Sequence, residues 1–254
     1  MFALIYALVA AALVGVGAAF VPFIGPIGAP LPGLVAGIAV YILLVRQVNA
    51  RLQRDIGGIQ AMLMQKNVEG ALATLHGIKQ RYARWVFMLG SQIDGQIGAI
   101  HFMRREFDAA RPYLERAFVR NWDAKLMLAC LLSGQVGEQK GKDKKGKDKK
   151  GDLAAVDQLL DRVVKYTPKQ GLLWSTWAWL HWSAGDAKRA IEILARGKQA
   201  LGEADPHLAA NLLALQNDKK LKMKGYGESW YAFHLEQHPM VMQAQRGNVR
   251  FARR

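Results

Sequence analysis

One cysteine, Cys130, is all the thiol chemistry this chain of 254 residues contains. A single thiol excludes an intramolecular disulfide and any cysteine-based zinc cluster. Its neighbours Leu128, Ala129, Leu131 and Leu132 are apolar, which marks it as a small core residue. A chain without disulfides fits a reducing compartment. Residues 1–45 lack far more: they hold no charged residue and no Ser, Thr, Asn, Gln or His. No acid–base pair, nucleophile–base pair or metal site fits there. The formal net charge of +15, from 35 Lys+Arg against 20 Asp+Glu, therefore lies wholly in the rest of the chain. That remainder is long enough for one domain of ordinary size.

The uncharged stretch has internal order. Phe2 to Val21 is an apolar run of the length needed to cross a hydrocarbon core of about 30 Å. A Pro/Gly-rich connector follows, and then a second apolar run from Leu31 to Val45. That second run gives about 22 Å of helix, short for a span, so a re-entrant path is an alternative. A cleaved signal peptide needs a basic start and a polar stretch after cleavage. Here the start is uncharged and apolar character resumes after Pro22, so a retained anchor is expected. Ala3, Ala7, Ala11, Gly15 and Ala19 recur every fourth residue, and Ala29, Gly33 and Gly37 repeat that spacing. Small residues at this spacing let two helix backbones approach closely in lipid. The stripes predict a hairpin packed on itself, with a partner's helices as the alternative. Arg46, Arg51 and Arg54 follow the second run at once, whereas the connector has no basic residue. The positive-inside rule then puts the rest of the chain on the cytoplasmic side, with these arginines at the lipid headgroups.

Beyond Arg46 the apolar spacing is helical. Val48, Leu52, Ile56, Ile59 and Leu63 share one face, as do Phe107, Ala110, Leu114, Ala117 and Phe118. Four segments align on one pattern of a turn residue, then small, large and small-or-apolar positions. Asn67-Val68 leads to Ala71, Leu75 and Ile78, and Arg105-Glu106-Phe107 leads to Ala110, Leu114 and Ala117. Gly151-Asp152-Leu153 leads to Val156, Leu160 and Val163, and Gly185-Asp186-Ala187 to Ala190, Leu194 and Gly197.

This pattern resembles the second helix of the tetratricopeptide repeat. Trp174, Trp177, Ala178 and His181 fall where that family places the marker residues of its first helix. Ile97, Gly98 and His101 do so one helix pair earlier. The resemblance implies an all-α chain, a transmembrane helical hairpin followed by a tetratricopeptide-like α-solenoid. Stacked helix pairs share a core there, and the first helices line a concave groove. It places Leu172, Ser175, Trp179, Trp182, Phe102 and Met103 on the groove as partner-binding residues, with Trp174 and Trp177 in the core. Tryptophan is enriched where binding energy concentrates; the alternative is that Trp179 or Trp182 packs under the chain's own C-terminal segment.

Other signals are weaker. Residues 139–152 carry a tandem GKDKK insertion, hydrophilic and expected to be disordered over about 137–151. Gly141 to Lys147 matches the spacing of a phosphate-binding loop, but Asp148 replaces the Ser or Thr that ligates magnesium and no apolar strand precedes it. His234 and His238 flank Glu236 in HLEQH, which is neither zinc-protease pattern. Lysines at 219, 220, 222 and 224 and arginines at 246, 250, 253 and 254 form two further basic clusters. They accompany no nucleic-acid-binding signature, so the bilayer is the expected anionic partner.

The reading is a hairpin over 1–45, a repeat domain over 46–222 and a capping segment with a basic tail over 223–254. The expected function is a scaffold, not an enzyme, with no cofactor and no metal. It recruits a protein partner to an inner-membrane complex, with its domain in the cytoplasm. Two spans followed by such repeats are also similar to subunits of Pel-type exopolysaccharide synthesis machines and to HemY-type membrane proteins. A homo-oligomerising structural component, or an electrostatic tether of anionic lipid or nucleic acid, are the alternatives.

Overall fold

The structure is a computed structural model that describes residues 2–20, 28, 30–86, 88–136 and 151–237. Its described residues form eleven helices and no strand. The chain divides into two compact units, residues 1–97 and 98–254.

The first unit begins with two apolar helices packed on each other, α1 (Phe2–Ala19) and α2 (Pro30–Met64). Both are long and apolar enough to cross a membrane. Their outward side chains have no protein to cover them: Leu13 is 70% and Leu31 69% exposed. A soluble core helix would bury such residues. The seam between the helices is made by the small-residue stripes. A Cβ built on Gly33 would lie 2.6 Å from the Ala11 carbonyl oxygen, and one on Gly37 would lie 2.8 Å from the Ala11 Cβ. Backbone-to-backbone contact of this kind is open only to glycine.

The expected boundary at residue 45 does not exist as a break. α2 runs on without interruption to Met64, a rod of about 52 Å. Leu52 and Ile59 are buried on its polar half, where α3 (Val68–Tyr82) packs back along it. Asp55 of α2 accepts a hydrogen bond from the Tyr82 hydroxyl at 3.0 Å. The chain then returns to the start of α1. The Phe2 backbone N–H donates to the Arg84 carbonyl at 2.9 Å, and Trp85 stacks on Tyr6 and meets Phe2 edge-on. Lys79 and Asp94 close the unit with a 2.6 Å ion pair.

The second unit takes the C-terminal half of α4 (Leu89–Met103). It continues through α5 (Phe107–Arg116), α6 (Trp122–Leu132), α7 (Leu153–Val164), α8 (Gly171–Ser183), α9 (Ala187–Leu201) and α10 (Pro206–Gln216). A 3-10 turn (Met223–Tyr226) and α11 (Glu228–Tyr231) follow. One continuous apolar core runs from Phe102 to Leu235. Leu221, Met223, Trp230, Phe233 and Leu235 belong to it, so the described part of the segment from residue 223 packs into this core.

A single corner design recurs through both units. At four helix ends a residue with positive φ (Lys66, Arg105, Gly185 or Asp218) is followed by an N–H that donates back five residues. Glu106 to His101 and Asp186 to His181, both at 2.9 Å, are two of these bonds. This arrangement satisfies the last carbonyls of one helix and aims the chain at the next. Asn67 and Asp186 then cap the following helices, accepting from Gly70 and Arg189, and Asp152 caps α7 by accepting from Ala155. Residues 137–150, which hold most of the tandem GKDKK insertion, lie outside the described residues. The flanks of that insertion meet directly: the Asp152 N–H donates to the Leu132 carbonyl at 2.9 Å. A Cβ on Gly151 would fall on the Ser133 carbonyl, 1.9 Å from its oxygen.

Candidate functional site

The residues assigned to a groove converge in the second unit, but the groove is not open. Ser175, Trp179 and Phe102 are buried, Leu172 and Trp182 are half-buried, and Met103 alone is exposed. What covers them is residues 221–237 of the same chain. The Lys222 N–H donates to the Asn211 side chain on α10 at 2.8 Å. The Tyr226 hydroxyl sits between Ser175 Oγ at 2.8 Å and Asp205 Oδ2 at 3.0 Å. Burial chiefly, then the neighbouring Asp205 charge, pushes the Tyr226 phenol above its ordinary range, although the Ser175 hydrogen bond opposes this. Trp230 is fully buried and meets Trp179 edge-on with ring centres 5.2 Å apart. Farther on, the His234 ring lies 5.6 Å from Phe102 and 6.2 Å from Phe107. The segment thus runs from α10 across α8 to the end of α4. Its aromatic residues Tyr226, Trp230, Tyr231 and Phe233 carry the alternative named from sequence, that Trp179 packs under the chain's own C-terminal segment, and Trp179 does so.

Trp179 leaves one clue of imperfect fit. Its indole N–H is buried without a hydrogen-bond partner among the described residues, as is the Thr176 hydroxyl one turn earlier. Burying such a group unpaired costs about 1–3 kcal/mol.

On the opposite side of α8 the side chains meet in a shared network. Asp157 of α7 accepts from Trp177 Nε1 at 2.7 Å and His181 Nε2 at 2.8 Å through one oxygen. Its other oxygen meets Arg189 of α9 at 3.2 Å. Burial works against the Arg189 charge, but Glu192 and Asp157 outweigh it and hold the guanidinium above its usual range. Trp174 and Trp177 stack with centres 5.7 Å apart, and Arg196 lies over both rings. One carboxylate therefore ties three helices through a tryptophan, a histidine and an arginine, as a structural hub. His101, the matching position on α4, is 2.6 Å from Glu106 and stacks on Tyr113. The His101 hydrogen bond, with the Arg104 charge, holds the Glu106 carboxyl low.

Sequence reasoning missed Lys125. It is only 6% exposed, and its ammonium donates to the carbonyls of Leu114 and Glu115, both at 2.9 Å. It closes the end of α5 from the next helix, and burial lowers its pKa. No local pattern marks a lysine for that role. Cys130 is fully buried and its thiol is pushed up by desolvation, which makes it unreactive.

In the first unit, Ala7 is buried and Ala11, Gly15 and Ala19 are half-buried along the seam with Gly33 and Gly37. Arg46, Arg51 and Arg54 are exposed on the polar continuation of α2. No group of three His, Cys, Asp or Glu residues among the described residues is placed to hold a metal. His238, the phosphate-loop look-alike at 141–147 and the arginines from 246 onward lie outside the described residues. No family model, curated protein or solved structure matches the chain.

Proposed function

We propose that this chain is a membrane-anchored scaffold. In this reading α1 and α2 form a transmembrane hairpin in the inner membrane. The helix-pair domain stands in the cytoplasm as a tetratricopeptide-like solenoid that recruits a protein partner. The observation that carries it is continuity: α2 leaves the apolar pair as one rod and feeds directly into a series of helices joined by one recurring corner. The bond between Phe2 and Arg84 favours a hairpin, because it brings the first turn of α1 beside the first polar helices. Tyr6 and Trp85 stack at that level, the side-chain types that collect at membrane–water boundaries. Exposed Arg46, Arg51 and Arg54 supply the positive charge expected on the cytoplasmic side.

Because residues 221–237 fill the groove, a partner reaches Ser175 or Trp179 only by displacing them. Met103, Leu172 and Trp182, at the edge, are the accessible part. A photo-crosslinking residue at Met103 or Trp182 in native membranes should give an adduct with a different protein. Adducts only with copies of the same chain would contradict the recruiting role. They would favour a homo-oligomeric component, a reading supported by an apolar groove of about 220 Å³ on the hairpin, lined by Leu4, Leu8, Leu34, Ile38 and Tyr41.

A further inference from the structure

A cleft of about 620 Å³ opens between α10 and residues 219–225. Lys219, Lys222, Lys224 and His207 line it, over a floor that includes Ala210, Ala214, Leu221 and Met223. Among the described residues none of these lysines has a carboxylate partner. The one acid on the wall is Glu236, and its Oε2 already accepts from Trp230 Nε1 at 3.0 Å. Three lysines against one carboxylate leave the concavity net positive, which raises the local potential for anions.

The cleft is also built, not merely basic. Asn211, 2% exposed, accepts from the Lys222 backbone N–H at 2.8 Å and so fixes the turn that carries two of the lysines. Among the described residues its side-chain amide nitrogen donates to the Met223 sulfur at 3.8 Å, a weak acceptor. Gly225 lies flat on His207, where a Cβ would come within 2.5 Å of Nδ1, and Tyr226 meets the same ring edge-on. The walls are in place before any ligand arrives, which reduces the ordering cost of binding.

We propose that this cleft binds a phosphate group, with the three lysines and His207 around the anion and the apolar floor under the group that carries it. Free phosphate compounds and anionic lipid headgroups share this chemistry. Lysine serves such ligands as a mobile point charge. The proposal does not depend on the scaffold reading, since the cleft lies within one unit.

The test uses the full chain in nanodiscs and reads the shift in unfolding temperature. Inorganic pyrophosphate is added to phosphatidylcholine discs in one arm, and phosphatidylglycerol replaces part of the lipid in the other. A saturable shift in the first arm identifies a free phosphate ligand, and a shift in the second alone identifies a headgroup. In either case Lys222→Gln with Lys224→Gln should weaken binding roughly tenfold. Lys222→Arg with Lys224→Arg should retain it, and Lys188→Gln with Lys198→Gln on α9 should not affect it. If the Gln pair fails to fold, loss of the wild-type shift with rising salt and its persistence in the Arg pair take its place. No shift in either arm, or an equal shift in the Gln pair, overturns the proposal.

Discussion

Asp157 shows how much one side chain can carry. Its carboxylate pairs with Trp177, His181 and Arg189, so removing it strands a buried indole N–H and a buried imidazole together. Asp157→Ala should cost about 2–3 kcal/mol, read by chemical denaturation followed through tryptophan fluorescence. His234 sets a different test. Burial first, and the charge of Arg105 second, hold its pKa below the usual histidine range, against the pull of the Met103 and Phe102 carbonyls. The folded chain then binds its proton less readily than the unfolded chain. Stability from this group is full above roughly pH 6.5 and falls as pH drops from there to the lowered folded value. Protection of the amides of residues 228–237 from hydrogen exchange, taken relative to the intrinsic rate at each pH, should therefore fall on acidification through that window. His234→Leu should flatten the pH dependence.

At the scale of helices, the sequence was most readable where a helix begins. The four segments aligned by pattern begin helices at Val68, Phe107, Leu153 and Ala187. All twelve pattern positions, from Ala71 to Gly197, are buried. Capping side chains and 3.6-residue apolar spacing are local signals, so they survive reading one residue at a time. The path of α2 was not readable in this way. Its apolar run stops at Val45, but hydrophobicity reports the surroundings of a helix and not its end. Nothing between Arg46 and Met64 breaks a helix strongly, and Gly57 and Gly58 are tolerated within it. The seam of the hairpin was legible in its spacing, and it predicts a sharp asymmetry among glycines. Gly33→Val should destabilise the α1–α2 pair by about 1–3 kcal/mol through overpacking. Gly17→Val should be nearly neutral, because a Cβ there meets nothing within 4 Å. Thermal unfolding in nanodiscs separates the two.

On the scale of the molecule, the largest departure is the groove. Residue types on α8 suggested a partner-binding groove, with packing under the chain's own C-terminal segment as the alternative, and it is the C-terminal segment that lies against Trp179 and Ser175. Pairing Trp179 with Trp230 spans 51 residues of sequence, and no spacing rule reaches across such a gap. The basic cleft beside α10 was half visible as a run of lysines. Its depth depends on α10 and the turn at Gly225, which only the folded chain brings together.

The proposed scaffold requires a transmembrane hairpin with the helical domain on its cytoplasmic side. Cys130 is buried with a raised thiol pKa, so single cysteines placed elsewhere report cleanly. The direct measurement is labelling by a membrane-impermeant maleimide, added outside intact cells stripped of their outer layers, of Gly28→Cys in the connector and Gln60→Cys on the polar part of α2. Gly28→Cys should label from outside, and Gln60→Cys only after the membrane is opened. Labelling of both from outside, or of Gln60→Cys alone, would contradict a hairpin that holds its domain in the cytoplasm.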